Sequence, residues 1–189
     1  MACRSTFGND ARLLFAAPEH VSDWLRRTEL TGEGTDTVLS SIDFVLRDQS
    51  QFIENLTLSG TANINSTGNG LSNIIIGNAG NNTLNGAWGD DTLNGGDGND
   101  IFNDEAGNDI FTGGAGIDTF FFLVAGESDR ITDFENGIDK MTIGLGVTNF
   151  ANITVTDAGA DAVLTFGSNS VTLENFDHTL VSSDDFTFV

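Results

Sequence analysis

Residues 77–121 read GNAGNNTLN, GAWGDDTLN, GGDGNDIFN, DEAGNDIFT and GGAGIDTFF, five consecutive units of nine residues. They share the pattern G-G-x-G-x-D-x-U-x, with U a large apolar residue. Position six holds Asn82, Asp91, Asp100, Asp109 and Asp118, and position eight holds Leu84, Leu93, Phe102, Phe111 and Phe120. A fixed short period of this kind marks a solenoid, in which each unit buries its apolar face only against its neighbours.

The two halves of the unit have separate tasks. Positions one to six form a turn, where glycine admits backbone angles closed to other residues. Positions seven to nine, such as Thr92-Leu93-Asn94, form a short strand. One turn and one strand reverse the chain once, so two units make one coil and alternate units share an edge. The expected fold is all-β: a parallel β-roll followed by a C-terminal β-rich domain. Coils stacked at about 4.8 Å bring Asp91 close to Asp109, and Asp100 close to Asn82 and Asp118. The position-eight side chains point between the two sheets, each burial worth roughly 1.5–3 kcal/mol.

That stack concentrates charge. The chain has 28 carboxylates against 7 basic side chains, a formal charge of −21. Such a balance disfavours nucleic acid and anionic membranes and attracts cations. Residues 77–121 hold eight acids and no Lys, Arg or His, so ion pairs cannot neutralise them. A divalent cation between stacked carboxylates turns repulsion into attraction. An all-oxygen cage completed by turn carbonyls suits calcium, and the lack of His and Cys disfavours zinc and copper. The array is therefore expected to be disordered without Ca2+ and ordered with it. Asn82 in place of an acid weakens the first edge, and Asp104-Glu105 in place of paired glycines adds charge at a strained turn.

Outward from the array, residues 31–76 read as lead-in strands with a degenerate repeat at Gly68–Ile76, and Thr31–Leu39 as an isolated nonapeptide. Phe44–Leu46 and Leu56–Leu58 read as short strands. Residues 1–30 differ: they hold four of the seven basic residues and the only Pro and Cys. They are either a poorly ordered leader or a short helix from Pro18 with Val21, Trp24 and Leu25 on one face. After Phe121 the period stops. Residues 122–189 read as short strands at Arg130–Phe134, Lys140–Ile143, Ile153–Thr156, Ala162–Phe166 and Val171–Leu173, which end the roll and pack on it. With one cysteine no intrachain disulfide forms. No apolar run approaches a membrane span, and no secretory h-region is present at the N-terminus. The chain is either cytosolic or exported by a route not read there.

The repeats and the segment after them resemble the RTX family of proteins exported by type I secretion. Asp129–Asp139 (DRITDFENGID) with Lys140-Met141 is similar to the joint between roll and C-terminal domain in serralysin-type members, and the Phe-rich ending resembles their uncleaved export signal. The resemblance implies a secreted, extracellular protein whose C-terminus meets a type I transporter. It also implies that each ion is held by positions two, four and six of one unit and one, three and six of the unit two further on. One ion then meets Asn78, Gly80, Asn82, Gly95, Asp97 and Asp100. A second meets Ala87, Gly89, Asp91, Asp104, Ala106 and Asp109, and a third Gly96, Gly98, Asp100, Gly113, Ala115 and Asp118. Asp129, Asp133 and Asp139 are either extra ligands or plain turn residues.

Family members carry such repeats behind a catalytic domain, and none is legible here. His20 and His178 sit in no HExxH motif, no G-x-S-x-G elbow occurs, and Cys3 has no evident base. No catalytic residue is assigned and no enzyme activity is expected. Two alternatives stay open. One is a polysaccharide-contacting accessory module, for which Trp88 is the one aromatic candidate in the roll, although a packing role suits a turn position better. The other is the tail of a secreted hydrolase whose catalytic domain is missing.

Overall fold

A computed structural model describes residues 11–16, 34–46, 53–103 and 105–189. In chain order its strands are β1 (Ala11–Ala16), β2 (Thr35–Ser40), β3 (Phe44–Val45), β4 (Asn55–Leu58), β5 (Ser66–Thr67) and β6 (Ile74–Ile76). Then follow β7 (Thr83–Asn85), β8 (Thr92–Asp97), β9 (Ile101–Asn103), β10 (Ile110–Ala115), β11 (Thr119–Phe122) and β12 (Ser128–Ile131). The last are β13 (Lys140–Ile143), β14 (Thr154–Ala158), β15 (Asp161–Phe166), β16 (Asn169–Leu173) and β17 (Phe186–Phe188).

The strands build two sheets. One runs β1-β2-β4-β6-β8-β10-β12-β16-β15-β14 and the other β17-β13-β11-β9-β7-β5-β3. Consecutive strands alternate between sheets through the roll, and neighbours within a sheet are parallel. Thr92 pairs with Ile110, Ile101 with Thr119 and Leu84 with Phe102. Each of these pairs is two nonapeptides apart, as two units per coil requires. The fold is a parallel β-roll.

The sequence alternation explains the core. Ile75, Leu84, Leu93, Phe102, Phe111 and Phe120 are buried between the sheets. Positions seven and nine face outward, hence the Thr and Asn residues there. Phe102 and Phe120 stack with centroids 4.9 Å apart, and Phe111 meets them edge-on and tilted at 5.8 and 6.0 Å. Such ring pairs add roughly 0.5–1.5 kcal/mol to area burial.

Beyond Phe121 the spacing changes but the stacking does not. Arg130 pairs with Ile110 and Lys140 with Thr119, so the turn before β12 carries two extra residues and the turn before β13 one. Ile131 and Met141 still enter the core. An insertion in a turn leaves strand alternation untouched, so the coil survives loss of the nine-residue period. The strands after that do not lie on the roll's faces. β16 extends the first sheet beside β12, with the antiparallel β15 and β14 following it, and β17 extends the second beside β13. An open sheet edge offers unpaired N–H and C=O groups, and these strands take them up.

At the other end β1 pairs in parallel with β2, from Ala11↔Thr35 to Ala16↔Ser40. The expected leader therefore contains a strand. The helix expected from Pro18, with Val21, Trp24 and Leu25, lies outside the described residues, as do Cys3 and His20. Among the described residues no helix is long and apolar enough to cross a membrane.

Candidate metal centre

The turns stack into two edges, and the position-six residues form a ladder along each. On one edge the N–H of Asn82 donates to Asp100 Oδ1 (2.7 Å), that of Asp100 to Asp118 Oδ1 (2.8 Å) and that of Asp118 to Asp139 Oδ1 (3.0 Å). On the other, Asn73 donates to Asp91 Oδ1 (2.7 Å), Asp91 to Asp109 Oδ1 (2.8 Å) and Asp109 to Asp129 Oδ1 (2.9 Å). Every rung from Asp91 to Asp139 is buried. The second oxygens of Asp91, Asp100, Asp118 and Asp129 are buried without a hydrogen-bond partner. A buried carboxylate oxygen left so is costly unless something else meets it.

Those of Asp91, Asp100 and Asp118 point into a small space that glycine keeps open. A Cβ on Gly86 would fall on Asp91 Oδ2. One on Gly95 would fall on Asp100 Oδ2 and stand 2.7 Å from Gly113 O. The carboxylate of one unit and the position-one carbonyl two units on thus converge where a side chain would otherwise sit. Position two shows the same economy. Gly96 and Gly114 have φ of 101° and 94°, and Ala87 adopts 73° despite its Cβ.

Burial pushes the carboxyl groups upward: Asp91, Asp118 and Asp129 to about 7, and Asp100 and Asp109 to about 6. The backbone N–H of the previous rung opposes that rise in each case. Neighbouring acids add to it: Asp109 and Asp90 at Asp91, Glu127 and Asp90 at Asp109, and Asp139, Asp100 and Asp133 at Asp118. Asp139 is raised for the same leading reason.

The asparagine rungs differ. Asn82 Nδ2 donates to Ile64 O (2.6 Å) and to Asn78 Oδ1 (3.1 Å), and its Oδ1 accepts from Asn78 N (2.8 Å). Asn73 likewise donates to Ile53 O and Glu54 O and accepts from Asn69 N. These amides satisfy themselves inside the protein, where the aspartates leave an oxygen over.

Stacking places the turns that carry these residues side by side. Gly89 N donates to Ala106 O (2.9 Å) and Ala106 N to Ala87 O (3.2 Å), beside the Asp91–Asp109 rungs. Gly98 N donates to Ala115 O (2.8 Å), and Gly96 pairs with Gly114, beside Asp100–Asp118. Asn78, Gly80 and Asn82 face the turn of Gly95, Asp97 and Asp100 through Asn82 N and the close approach of Gly98 to Gly80 O. Asp104 lies outside the described residues.

Of the three acids after the array, Asp133 gives its two oxygens to Gly113 N and Gly114 N (2.8 and 2.9 Å), and Asp139 gives its two to Asp118 N and Glu135 N. Those are turn-holding roles. Asp129 keeps an oxygen free. Asn69 and Asn73 lie in the nine-residue register but were not picked out because their unit, Gly68–Ile76, carries no acid, and Glu127 was not because the spacing is broken after Phe121. Trp88 does not pack: it is 70% exposed. His178 lies at the surface, 3.9 Å from Asp157 and Asp177.

Among the described residues no three His, Cys, Asp or Glu side chains form a metal cluster by themselves. Carbonyls must therefore supply most donors of any cage, and that all-oxygen set fits a hard cation of calcium's kind. A family model for the RTX calcium-binding nonapeptide repeat matches residues 67–102 and again 86–120. Residues 67–120 are RTX calcium-binding nonapeptide repeats. No curated protein matches the chain.

Among solved structures, the RTX array and its flanks are similar to the AlgE6R3 subunit of the Azotobacter vinelandii mannuronan C5-epimerase. The identity is 28% over 62% of this chain and 78% of that one, with a TM-score of 0.49. The AlgE6R2 subunit of the same enzyme is 26% identical over 69% and 94%, with a TM-score of 0.47. The extracellular lipase LipA of Serratia marcescens is 16% identical over 84% of this chain and 45% of its own, with a TM-score of 0.38.

Proposed function

We propose that this chain is a secreted module that calcium folds. It leaves the cell unfolded through a type I transporter that reads its C-terminal segment, folds outside, and serves as the C-terminal part of an exported protein. The observation that carries the reading is the rank of buried carboxylate oxygens without partners along both edges. In the low-calcium cytosol their mutual repulsion opposes the roll. Outside, each ion bound only to the folded form adds about 2.7 kcal/mol at a hundredfold excess over its dissociation constant.

The ligand sets are those named from the repeat. The Asp91–Asp109 and Asp100–Asp118 pairs bind more strongly than the Asn82–Asp100 pair, because Asn82 brings no charge and its amide is already engaged. The ending supports export before folding. Phe186 and Asp185 are buried, and β17 is locked beside β13. A transporter therefore meets this segment as free chain only before the roll closes.

Far-ultraviolet circular dichroism of the purified chain tests the coupling. In chelator at neutral pH the β signal should be weak, and added calcium should restore it cooperatively. Equal β content in both conditions would refute the proposal.

A second reading has one observation in its favour: Trp88 stands exposed at a turn, bridged to Ala106 through its backbone. An exposed indole is a sugar-stacking platform, so the edge carrying it is a polysaccharide contact. Binding to alginate and to a panel of acidic glycans, measured in saturating calcium, should weaken about tenfold or more in Trp88→Ala. No binding by either form removes this reading and leaves calcium folding untouched.

A further inference from the structure

The charge of the chain is unevenly placed along the roll. Residues 55–89 hold no Asp, Glu, Lys, Arg or His, although β4 to β7 stack in the same two sheets as the strands after them. Leu56, Leu58, Ile64, Ile75 and Leu84 are buried in the same core as the array. What changes is the group that ties one coil to the next.

In the array that task falls to aspartate. Asp91 and Asp100 each accept an N–H from the coil before and leave the second oxygen over. In residues 55–85 it falls to asparagine, whose amide both donates and accepts. Asn69 Nδ2 donates to Ile53 O (2.8 Å) and Asn73 Nδ2 to Glu54 O (3.0 Å). Asn78 Nδ2 donates to Ala62 O (3.0 Å) and Asn82 Nδ2 to Ile64 O (2.6 Å). All four bonds run backwards, to carbonyls of the preceding coil. The oxygens of the same amides accept within their own turns: Asn69 Oδ1 from Leu71 N, Asn73 Oδ1 from Asn69 N, Asn78 Oδ1 from Gly80 N and Asn82 Oδ1 from Asn78 N. Within residues 55–85 the buried side-chain oxygens without a partner are Asn55 Oδ1 and Ser66 Oγ, and both are neutral.

None of these contacts needs a metal. A buried, hydrogen-bonded network without charge carries none of the repulsion that burdens the carboxylate rungs. We infer that residues 55–85 fold without calcium, their asparagine Nδ2 groups binding carbonyls between coils where the array needs an ion, and that they form the seed against which the calcium-dependent coils close. The inference rests on the calcium reading above for its contrast with the array. The seed presents Asn73 N and Asn82 N at its forward rim, where Asp91 and Asp100 meet them. The C-terminal strand β17 pairs with β13 on the far side of the array, so the seed leaves the C-terminal segment free until calcium binds.

Hydrogen exchange of the full chain, read by mass spectrometry in chelator and in saturating calcium at neutral pH, tests the seed. In chelator, amides of residues 55–85 should exchange about tenfold or more slowly than free chain, and those of residues 86–143 at the free-chain rate. Calcium should protect both. If both stretches exchange freely in chelator and calcium protects both, the seed is overturned and the calcium reading stands. Protection of both in chelator overturns the calcium reading and, with the contrast gone, the seed. Asn73→Asp combined with Asn82→Asp tests the amides. Each change keeps the side chain's size, removes the Nδ2 donor and adds a charge, so residues 55–85 should lose their protection in chelator. Asn81→Asp adds a charge at an exposed position beside Asn82 and should keep it. A double variant as protected as wild type, or Asn81→Asp as unprotected as the double variant, overturns the role given to the asparagines.

Discussion

In calcium-free buffer the chain is expected to gain β structure as the pH falls from 8 to 5. Five rungs, Asp91, Asp100, Asp109, Asp118 and Asp129, have carboxyl groups pushed up to about 6 or 7 in the folded roll. In the unfolded chain they return to the ordinary value of about 3.9. Between those limits the folded state binds more protons than the unfolded state, so stability falls as pH rises. The stabilisation is fully present below about 4 and is lost as the pH climbs through 6 to 7. Protons and calcium then serve the same purpose, removal of buried negative charge, and compete for it. Calcium binding near pH 7 should release protons, and calcium affinity should drop in acid. Circular dichroism against pH without metal tests the first statement, and calorimetry in buffers of different ionisation enthalpy tests the second. A metal-free chain as unfolded at pH 5 as at pH 8, with no proton release on calcium binding, would show that the rungs are not the source of instability.

Substitution of a single interior rung is expected to have the next largest effect. Asp100→Asn and Asp118→Asn each remove a charge that two successive coils share, and the calcium midpoint of folding should rise about tenfold or more for either. The sequence ranks Asp100 above Asp118, because Asp100 stands in two of the three expected ligand sets and Asp118 in one. The ladder favours a different expectation. Asp139 lies beyond Asp118 and takes its N–H, so Asp118 has an acid on both sides. Asp100 has Asp118 on one side and the neutral Asn82 on the other. Asp118→Asn should therefore need at least as much calcium as Asp100→Asn. Variants that fold at the wild-type calcium concentration would show that these rungs hold no ion, and a milder effect at Asp118 would show that Asp139 does not extend the ladder.

These two expectations mark how far the sequence could be read. The roll, its two units per coil and its inward Leu and Phe residues were legible between Gly77 and Phe121, because turn glycine, position-six acid and position-eight hydrophobe recur in a fixed register. The pairing of Asp91 with Asp109 and of Asp100 with Asp118 followed from that register. Past Phe121 two extra turn residues and then one more shift the spacing, and Asp129 and Asp139 became ladder rungs that no periodic count would align. Glu127 was invisible for the same reason. The sequence shows that Asn82 brings no charge, but only the placement of the Ile64 and Asn78 acceptors shows that its rung is satisfied within the protein, where that of Asp100 is not.

The amino-acid order alone determined a calcium-binding β-roll, because each nonapeptide specifies its own turn and strand from local chemistry and hands the next the same problem. The tertiary structure alone decided where the roll stops, which acids keep an oxygen unmet, and how β16 and β17 close it. Those outcomes depend on hydrogen bonds and buried charges between residues about twenty to forty-five positions apart, and parallel pairing over such spans leaves no local trace in the chain.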